Sequence, residues 1–341
     1  MDISIIIPTY NRAHLLDPLF STLLSQDTEG LASEIIVVND GSADNTSEVL
    51  EQFRQQGANQ GRIIKIVNQT NSGQAKARHA GFLKSSGEYL LFIDDDMELK
   101  DSSFIKSHLA EQKKLPNAVV YGKILPRKEP TKTRLSFEKY YEDKILENYA
   151  DFASGVKSPS GRHFFTANVS MPRSLYEQSQ GFDPFFRYLE DIEFGVRLQK
   201  NHSATFAYCE KAASYHNSGS ASFEAFTNRA RLYGKYENHL YKMYPEDESL
   251  NPLRFLNTGS KLFMNKMISS NKLFVLCSKP LQGLSVILNY MGLINLSVKA
   301  CRLVYKIHFI EGLVAQFPSS EELIGCLNKY RSSKYANQAI N

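Results

Sequence analysis

The chain has 341 residues, enough for a large core plus an appendage, with 42% hydrophobic residues, 22% charged residues and a net charge of +4. These proportions are those of a globular protein and exclude disordered, fibrous, low-complexity and repeat architectures. The charge is unevenly spread: from Asn251 to Ile310 there are eight Lys or Arg and no Asp or Glu. The stretch from Asn251 onward carries eleven basic and three acidic residues, a net +8, which leaves −4 for the first 250. Its charges are interspersed with Leu, Ile, Phe and Tyr, a pattern suited to an anionic membrane surface rather than to nucleic acid. Cys209, Cys277, Cys301 and Cys326 fit no zinc spacing and are expected to be reduced core residues of a cytoplasmic protein. Ile3–Ile7 is too short for the apolar region of a signal peptide.

In chain order, the first hundred residues alternate strand and helix. Ile3–Ile7, Glu34–Asn39, Ile63–Asn68 and Tyr89–Ile93 are short apolar runs, predicted as strands buried on both faces. Between them, residues 13–26, 45–56 and 72–84 have helical patterns. This rhythm predicts an α/β doubly wound sheet, mainly parallel, with ligands beyond the carboxyl ends of the strands. Polar or Gly-rich turns fall there: Pro8-Thr9-Tyr10-Asn11-Arg12, Asn39-Asp40-Gly41-Ser42, Asn71-Ser72-Gly73 and Asp94-Asp95-Asp96. Further on, residues 119–125, 164–171 and 204–208 read as strands, and 136–148, 191–200 and 223–244 as helices. Residues 128–132 and 155–161 read as loops, the second mobile, and the stretch after 245 reads as helical.

Three consecutive carboxylates raise one another's pKa unless a cation lies among them, and their oxygens favour hard ions such as Mg²⁺ or Mn²⁺. An acidic triplet alone is a solvated turn more often than a metal site; here a wholly apolar strand precedes it. The turn at Gly73 opens a helix carrying Lys76, Arg78 and His79, a seat for a diphosphate or simply a capped helix with exposed cations. Asp40 could accept a hydrogen bond from a base or merely close an Asx turn. Glu193 and Arg197 are spaced as a structural i,i+4 pair. Glu190 and Asp191 precede them at a helix N-terminus, where a carboxylate serves as a cap or as a base. His216 follows an aromatic strand end, and a lone histidine there has even odds of being a ligand.

Together, Pro8–Arg12, Val38–Thr46, Asn71–Gly81, Asp94–Asp96, Ala167–Arg173, Gly181–Arg197 and His216 resemble, in order, the motifs of the inverting family 2 glycosyltransferases of GT-A fold. The resemblance covers the first 220–240 residues. It implies that Pro8, Thr9 and Asp40 hold the nucleotide base, usually uracil, with Arg78 at the base or diphosphate. Tyr10, Arg12, Gly73 and Lys76 belong to the same donor-binding rim. Asp94–Asp96 is similar to the family's DxD element: Asp96 would ligate the divalent metal (Mn²⁺ or Mg²⁺), with Asp94 or Asp95 on the ribose or ion. His216 would complete the metal or diphosphate site. Asp191 matches the catalytic base, with Glu190 beside it. His79 departs from the family's usual Asn, read as a local packing change.

The organisation expected is a GT-A domain over 1–245, with a donor half over about 1–116 and an acceptor half over 117–245, followed by a basic, mostly helical region over 246–341. The implied partners are a nucleotide sugar, UDP-linked by preference, and a glycan or lipid-linked acceptor, with no nucleic acid. A nucleotide-sugar-binding protein without transfer could dispense with Asp191. A nucleotidyltransferase would carry a Gly-rich basic loop after the first strand. Pro280–Val298 holds no charge, but Gln282, Ser285, Asn289, Asn295 and Ser297 make it a poor span. Peripheral membrane contact through 251–310, at the cytoplasmic face, or a packed helical appendage is expected instead.

Overall fold

The structure is a computed structural model that describes residues 1–127, 136–217 and 222–338. The loop expected at 128–132 lies outside the described residues. The chain forms two compact units, one of Met1–Thr131 with Glu142–Ser220, the other of Lys132–Tyr141 with Ala221–Asn341.

The first unit begins with β1 (Ile3–Thr9), α1 (Leu16–Leu24), β2 (Ser33–Asn39), α2 (Thr46–Asn59), β3 (Ile63–Asn68), α3 (Gln74–Lys84) and β4 (Tyr89–Ile93). It continues with β5 (Met97–Leu99), α4 (Phe104–Lys114), β6 (Ala118–Leu125), α5 (Ser136–Ala153), β7 (Asn168–Pro172), α6 (Arg173–Gln178), α7 (Glu190–Asn201) and β8 (Thr205–His216). The turns of α5 through Tyr141 belong to the second unit. Among the described residues the strands form one sheet in the order β3-β2-β1-β4-β7-β6-β8-β5. β1 pairs in parallel with β2 and β4, β2 with β3, and β6 with β8, whereas β7 runs antiparallel to β4 and β6. This is a mixed, mainly parallel α/β sheet.

β1 and the apolar run of β4 are buried because neighbours flank them on both edges and layers cover both faces. β3 departs from the expectation of a doubly buried strand. Among the described residues it pairs only with β2, and Ile63 is 47% exposed. β5 was not foreseen. It extends the sheet past the acidic triplet and pairs antiparallel with the end of β8, setting Met97 opposite His216. β8 is accordingly longer than residues 204–208.

A buried polar network joins the strands beneath this end. Asn168 Nδ2 donates to the Ala212 carbonyl and to Ser214 Oγ, each at 3.0 Å, and its Oδ1 lies 2.8 Å from His108 Nε2. Burial lowers the His108 pKa to about 4, so the imidazole is neutral and can share its ring nitrogens with Asn168 and Ser170. Satisfying these groups costs less than leaving them orphaned in the core, which makes β7 and β8 a rigid base.

Gly161, expected within a mobile loop, is buried in a short 3₁₀ turn whose N–H donates to Gln199 Oε1 of α7 at 2.8 Å. A Cβ added at Gly195 of α7 would lie 2.2 Å from the Gly161 carbonyl oxygen. Gly195→Ala is therefore expected to destabilise the unit by about 1–3 kcal/mol through overpacking, read as a lowered Tm. A Tm equal to wild type would show that the contact relaxes freely.

The second unit contains α8 (Phe223–Met243), α9 (Lys261–Ser269), α10 (Asn271–Leu276), α11 (Ser278–Tyr290), α12 (Ile294–Val314) and α13 (Ser320–Gln338). The units divide near residue 220 rather than 245, so α8 joins the helical unit. The reason is backbone contact between α8 and α12: a Cβ at Gly234 would meet the Phe309 carbonyl oxygen at 2.1 Å, and one at Gly312 the Arg231 carbonyl oxygen at 1.8 Å. Cys209 and Cys301 are buried and Cys326 half-buried, but Cys277 is exposed, contrary to its expected place in the core. It sits between α10 and α11, whose outer faces are uncovered.

Candidate active site

The rim of the first unit is assembled by turns that fasten one another. After β1, Asn11 takes a left-handed backbone (φ 52°) and its Oδ1 accepts the Ala43 N–H at 2.7 Å. The Asn11 N–H donates to Ser42 Oγ at 2.9 Å, and the Asp40 N–H donates to the Thr9 carbonyl at 2.9 Å. Pro8 and Thr9 are buried in this junction, whereas Tyr10 is 46% exposed.

Asp40 is buried, and its carboxylate organises the turn before α3. Oδ1 accepts from Gln69 Nε2 at 2.6 Å and the Ser72 N–H at 2.8 Å, and Oδ2 accepts the Gly73 N–H at 2.8 Å. Gly73 has φ 89°, a region that favours glycine. A carboxylate offers about four lone-pair positions, so these three bonds leave one.

Arg78 of α3, expected at the base or diphosphate or else as an exposed cation, is 1% exposed. Its Nη2 donates to Asp94 Oδ1 at 2.7 Å, its Nη1 is 3.8 Å from Glu190 Oε1, and its guanidinium carbon lies 5.9 Å from the Phe182 ring centroid. Among the described residues Nε and Nη1 are buried without a hydrogen-bond partner. Lys76 is exposed on the same helix. Gln74, which sequence reasoning passed over, donates from Nε2 to Glu190 Oε1 and so ties the start of α3 to α7.

The acidic triplet divides its charge between two arginines. Arg78 takes Asp94, and Arg12 Nη1 takes Asp95 Oδ1 at 2.8 Å and Asp96 Oδ2 at 3.0 Å. Burial raises the Asp95 carboxyl to about 6 despite Arg12 and with the help of Asp96. Burial acts in the same direction on Asp96, but His216 and Arg12 overcome it and hold that carboxyl at about 2. His216 Nε2 lies 3.3 Å from Asp96 Oδ1, a buried oxygen that accepts no hydrogen bond of good geometry. Burial disfavours the imidazolium, yet Asp96 beside it raises the His216 pKa. The β5–β8 pairing brings these two residues together, and the Asn217 N–H donates to the Asp96 carbonyl at 2.7 Å.

Asp96 and His216 thus meet at one end of the sheet, while Asp94 is held by Arg78. Among the described residues no three His, Cys, Asp or Glu side chains converge as a complete metal cage. The orphaned Asp96 oxygen facing an imidazole nitrogen nevertheless fits one edge of a divalent-ion site. Hard ions bound to phosphorylated ligands take part of their coordination from phosphate oxygens and water.

Glu190 and Asp191 open α7, after Leu189 in the left-handed conformation (φ 65°). Glu190 is buried and Asp191 half-buried. Burial raises both carboxyl pKa values; Arg78 opposes this at Glu190, while the Glu190 carboxylate reinforces it at Asp191, which is pushed up to about 7. Asp191 Oδ1 accepts the Ile192 N–H at 2.8 Å. Glu193 and Arg197 form the expected pair at 2.6 Å, and Arg197 also donates to the Ser179 and Gly181 carbonyls, fixing α7 to the preceding loop.

Sheet order, carboxyl-end rim and helix placement are those of the GT-A class of α/β proteins. The same architecture occurs in the mannosyltransferase PcManGT from Pyrobaculum calidifontis, solved in complex with GDP-Man and Mn²⁺. The two align with a TM-score of 0.60 at 14% identity, covering 92% of this chain and 88% of that one. Residues 4–178 match the family described as Glycosyl transferase family 2, and the chain belongs to that family. A validoxylamine A glucosyltransferase of Streptomyces hygroscopicus subsp. jinggangensis is 31% identical over 221 residues, 58% of this chain and 51% of its own length. A GalNAc(5)-diNAcBac-PP-undecaprenol beta-1,3-glucosyltransferase of Campylobacter jejuni is 27% identical over 237 residues, 69% of this chain and 71% of its own. The chain spans about half the length of the Streptomyces relative.

Proposed function

We propose that the protein is an inverting, metal-dependent glycosyltransferase that moves a sugar from a nucleotide-sugar donor to an acceptor hydroxyl. The observation that carries this reading is the pairing, in one site, of a buried Arg78 with unfilled donors and an Asp191 carboxyl raised to about 7. The first suits a diphosphate, the second a general base working near neutral pH.

In the proposed reaction the acceptor oxygen forms a bond to the anomeric carbon as the bond from that carbon to the diphosphate oxygen breaks. The hydroxyl proton passes to Asp191, and the electron pair departs on the nucleoside diphosphate. Attack opposite the leaving group inverts the anomeric carbon, and no covalent intermediate is needed. Arg78 and the amides that open α3 offset charge gathering on the diphosphate. Asp96 and His216, with Asp94, would hold the divalent ion, which when bound supplies further positive charge at the diphosphate. Arg12 keeps Asp95 and Asp96 close together as paired anions.

Thr9 and Pro8 would border the base, with Tyr10 as the exposed wall. The remaining lone pair of Asp40 would take a base N–H, and Gly73 and Lys76 would lie along the phosphates. Residues 1–116 form the donor half of this reading, with the acceptor half beginning at 117. A UDP-sugar is the preferred donor and a glycan or lipid-linked carrier the preferred acceptor. The relatives named for glucosyl transfer, one to an undecaprenol-linked glycan, support that class. Four free cysteines suit a cytoplasmic location.

Titration calorimetry with UDP and GDP, each with Mn²⁺, with Mg²⁺ and with chelator, tests donor and metal together. UDP is expected to bind at least ten-fold more tightly with metal than with chelator, and His216→Ala to remove most of that difference. Equal binding with and without metal would dismiss the Asp96–His216 assignment.

A further inference from the structure

Among the described residues nineteen large apolar side chains are exposed, and eleven of them fall between Leu262 and Leu296. The pattern is sharpest on α11. Its buried positions are Ser278 and Ser285, whereas Leu284, Val286, Ile287 and Tyr290 are exposed, Tyr290 at 86%. At about 100° per residue these four occupy one arc of about 160°. The helix therefore sets Ser278 and Ser285 inward beside the partly buried Leu281 and leaves a broad apolar arc facing outward, where a helix made for water is polar. Its inner side is satisfied by hydroxyls: Ser297 Oγ donates to the Ser285 carbonyl, and Ser136 Oγ donates to Asn289 Oδ1 at 3.0 Å. The neighbouring helices add Leu262 (80% exposed) and Leu276 (74%).

Within residues 251–310, which carry this surface, every charge has one sign, and the acid that follows, Glu311, is held by His308 at 2.8 Å. Of the eight basic residues between 251 and 310, Lys261, Lys266, Lys272, Lys279, Lys299 and Arg302 are exposed, and no acidic residue lies in the same stretch. A second copy of the chain seated on this surface would bring like charges together. An apolar arc ringed by cations instead complements a layer with an anionic surface and a hydrocarbon interior. No helix among the described residues is long and apolar enough to cross a membrane.

We propose that α9, α10 and α11 form a docking surface for the interface of an anionic lipid bilayer, with Leu284, Ile287 and Tyr290 entering the acyl boundary. The cations would remain at the headgroups. A lipid-linked acceptor would then be met at the surface where it resides, but docking itself does not depend on the transfer reaction.

Vesicle flotation of the full chain tests the proposal, using phosphatidylcholine alone and phosphatidylcholine mixed with phosphatidylglycerol. The chain is expected to float with the mixed vesicles and remain behind with phosphatidylcholine alone, with binding weakened by added salt. Lys272→Glu and Lys279→Glu should each lower the partition coefficient by at least about five-fold. Leu284→Ser combined with Ile287→Ser should lower it more than about ten-fold. Circular dichroism and nucleotide binding should match wild type in every variant, which separates loss of docking from loss of fold or of donor binding. Equal flotation with both vesicle types, no flotation with either, or a wild-type dimer in light scattering that Leu284→Ser/Ile287→Ser dissociates would overturn the proposal.

Discussion

Asp191→Asn is expected to lower turnover by about 10²–10⁴-fold, the usual contribution of a positioned general base, while nucleotide binding stays at the wild-type level. Its pH signature follows from the raised carboxyl. The working form is the carboxylate, so wild-type kcat/KM should climb as pH rises through about 7 and then level off. Glu190 and Asp191 lie together at the start of α7, so the observed midpoint belongs to the pair. Stability should move oppositely. An acid whose folded pKa exceeds its unfolded value binds more protons when folded, so its contribution diminishes as pH rises from about 4 to about 7. At pH 8 the asparagine variant should therefore melt a few degrees above wild type. This combination of lower turnover and higher Tm separates a strained functional carboxylate from a helix cap, whose loss would lower Tm. Steady-state kinetics and thermal melts across pH would show it.

Arg78→Met is expected to act on binding and folding together. Removing the guanidinium leaves Glu190 and Asp94 without their cation, and breaking a buried pair in this way costs about 3–5 kcal/mol. Loss of charge-assisted bonds to a diphosphate, worth about 1.5–3 kcal/mol, should weaken nucleotide affinity by roughly 10–150-fold. Arg78→Lys should recover part of the stability but little of the binding, since an ammonium cannot reach Asp94 and a phosphate with the same planar fork. Melting curves and nucleotide titrations on both variants check this. A Met variant with wild-type Tm and affinity would remove Arg78 from both roles.

The parts of this fold that sequence reveals are those in which burial is symmetric. β1, β2 and β4 are apolar at most buried positions, Ser4, Thr9, Glu34 and Asn39 being the exceptions, and their carboxyl ends carry Pro8–Arg12, Asp40 and Asp94–Asp96 as the rim requires. β3 has a largely apolar run, and its edge position is signalled locally only by Lys65, a single charge that the apolar neighbours outweigh. β5 is three residues long, and its partner lies more than 110 residues away. The meeting of Asp96 and His216 was therefore unreadable from spacing and entered only through resemblance to a family. Arg12 and Arg78 were visible as rim cations. Which carboxylates they pair with, and how deeply Arg78 sinks beside Phe182, are tertiary outcomes. Gln74 gave no signal because a neutral amide at a helix start is unremarked by charge or period. The closeness of Gly161 and Gly195 was hidden because glycine spacing is uninformative across non-local contacts.

The most direct test of the central claim is release of nucleoside diphosphate from a panel of UDP- and GDP-sugars by the full chain, measured with Mn²⁺ or Mg²⁺ and again after chelation. At least one donor is expected to be turned over with metal, to stop with chelator, and to be bound but left intact by Asp191→Asn. Failure of every donor to bind or react under any metal condition would contradict the glycosyltransferase reading, and turnover unaffected by Asp191→Asn would remove its base.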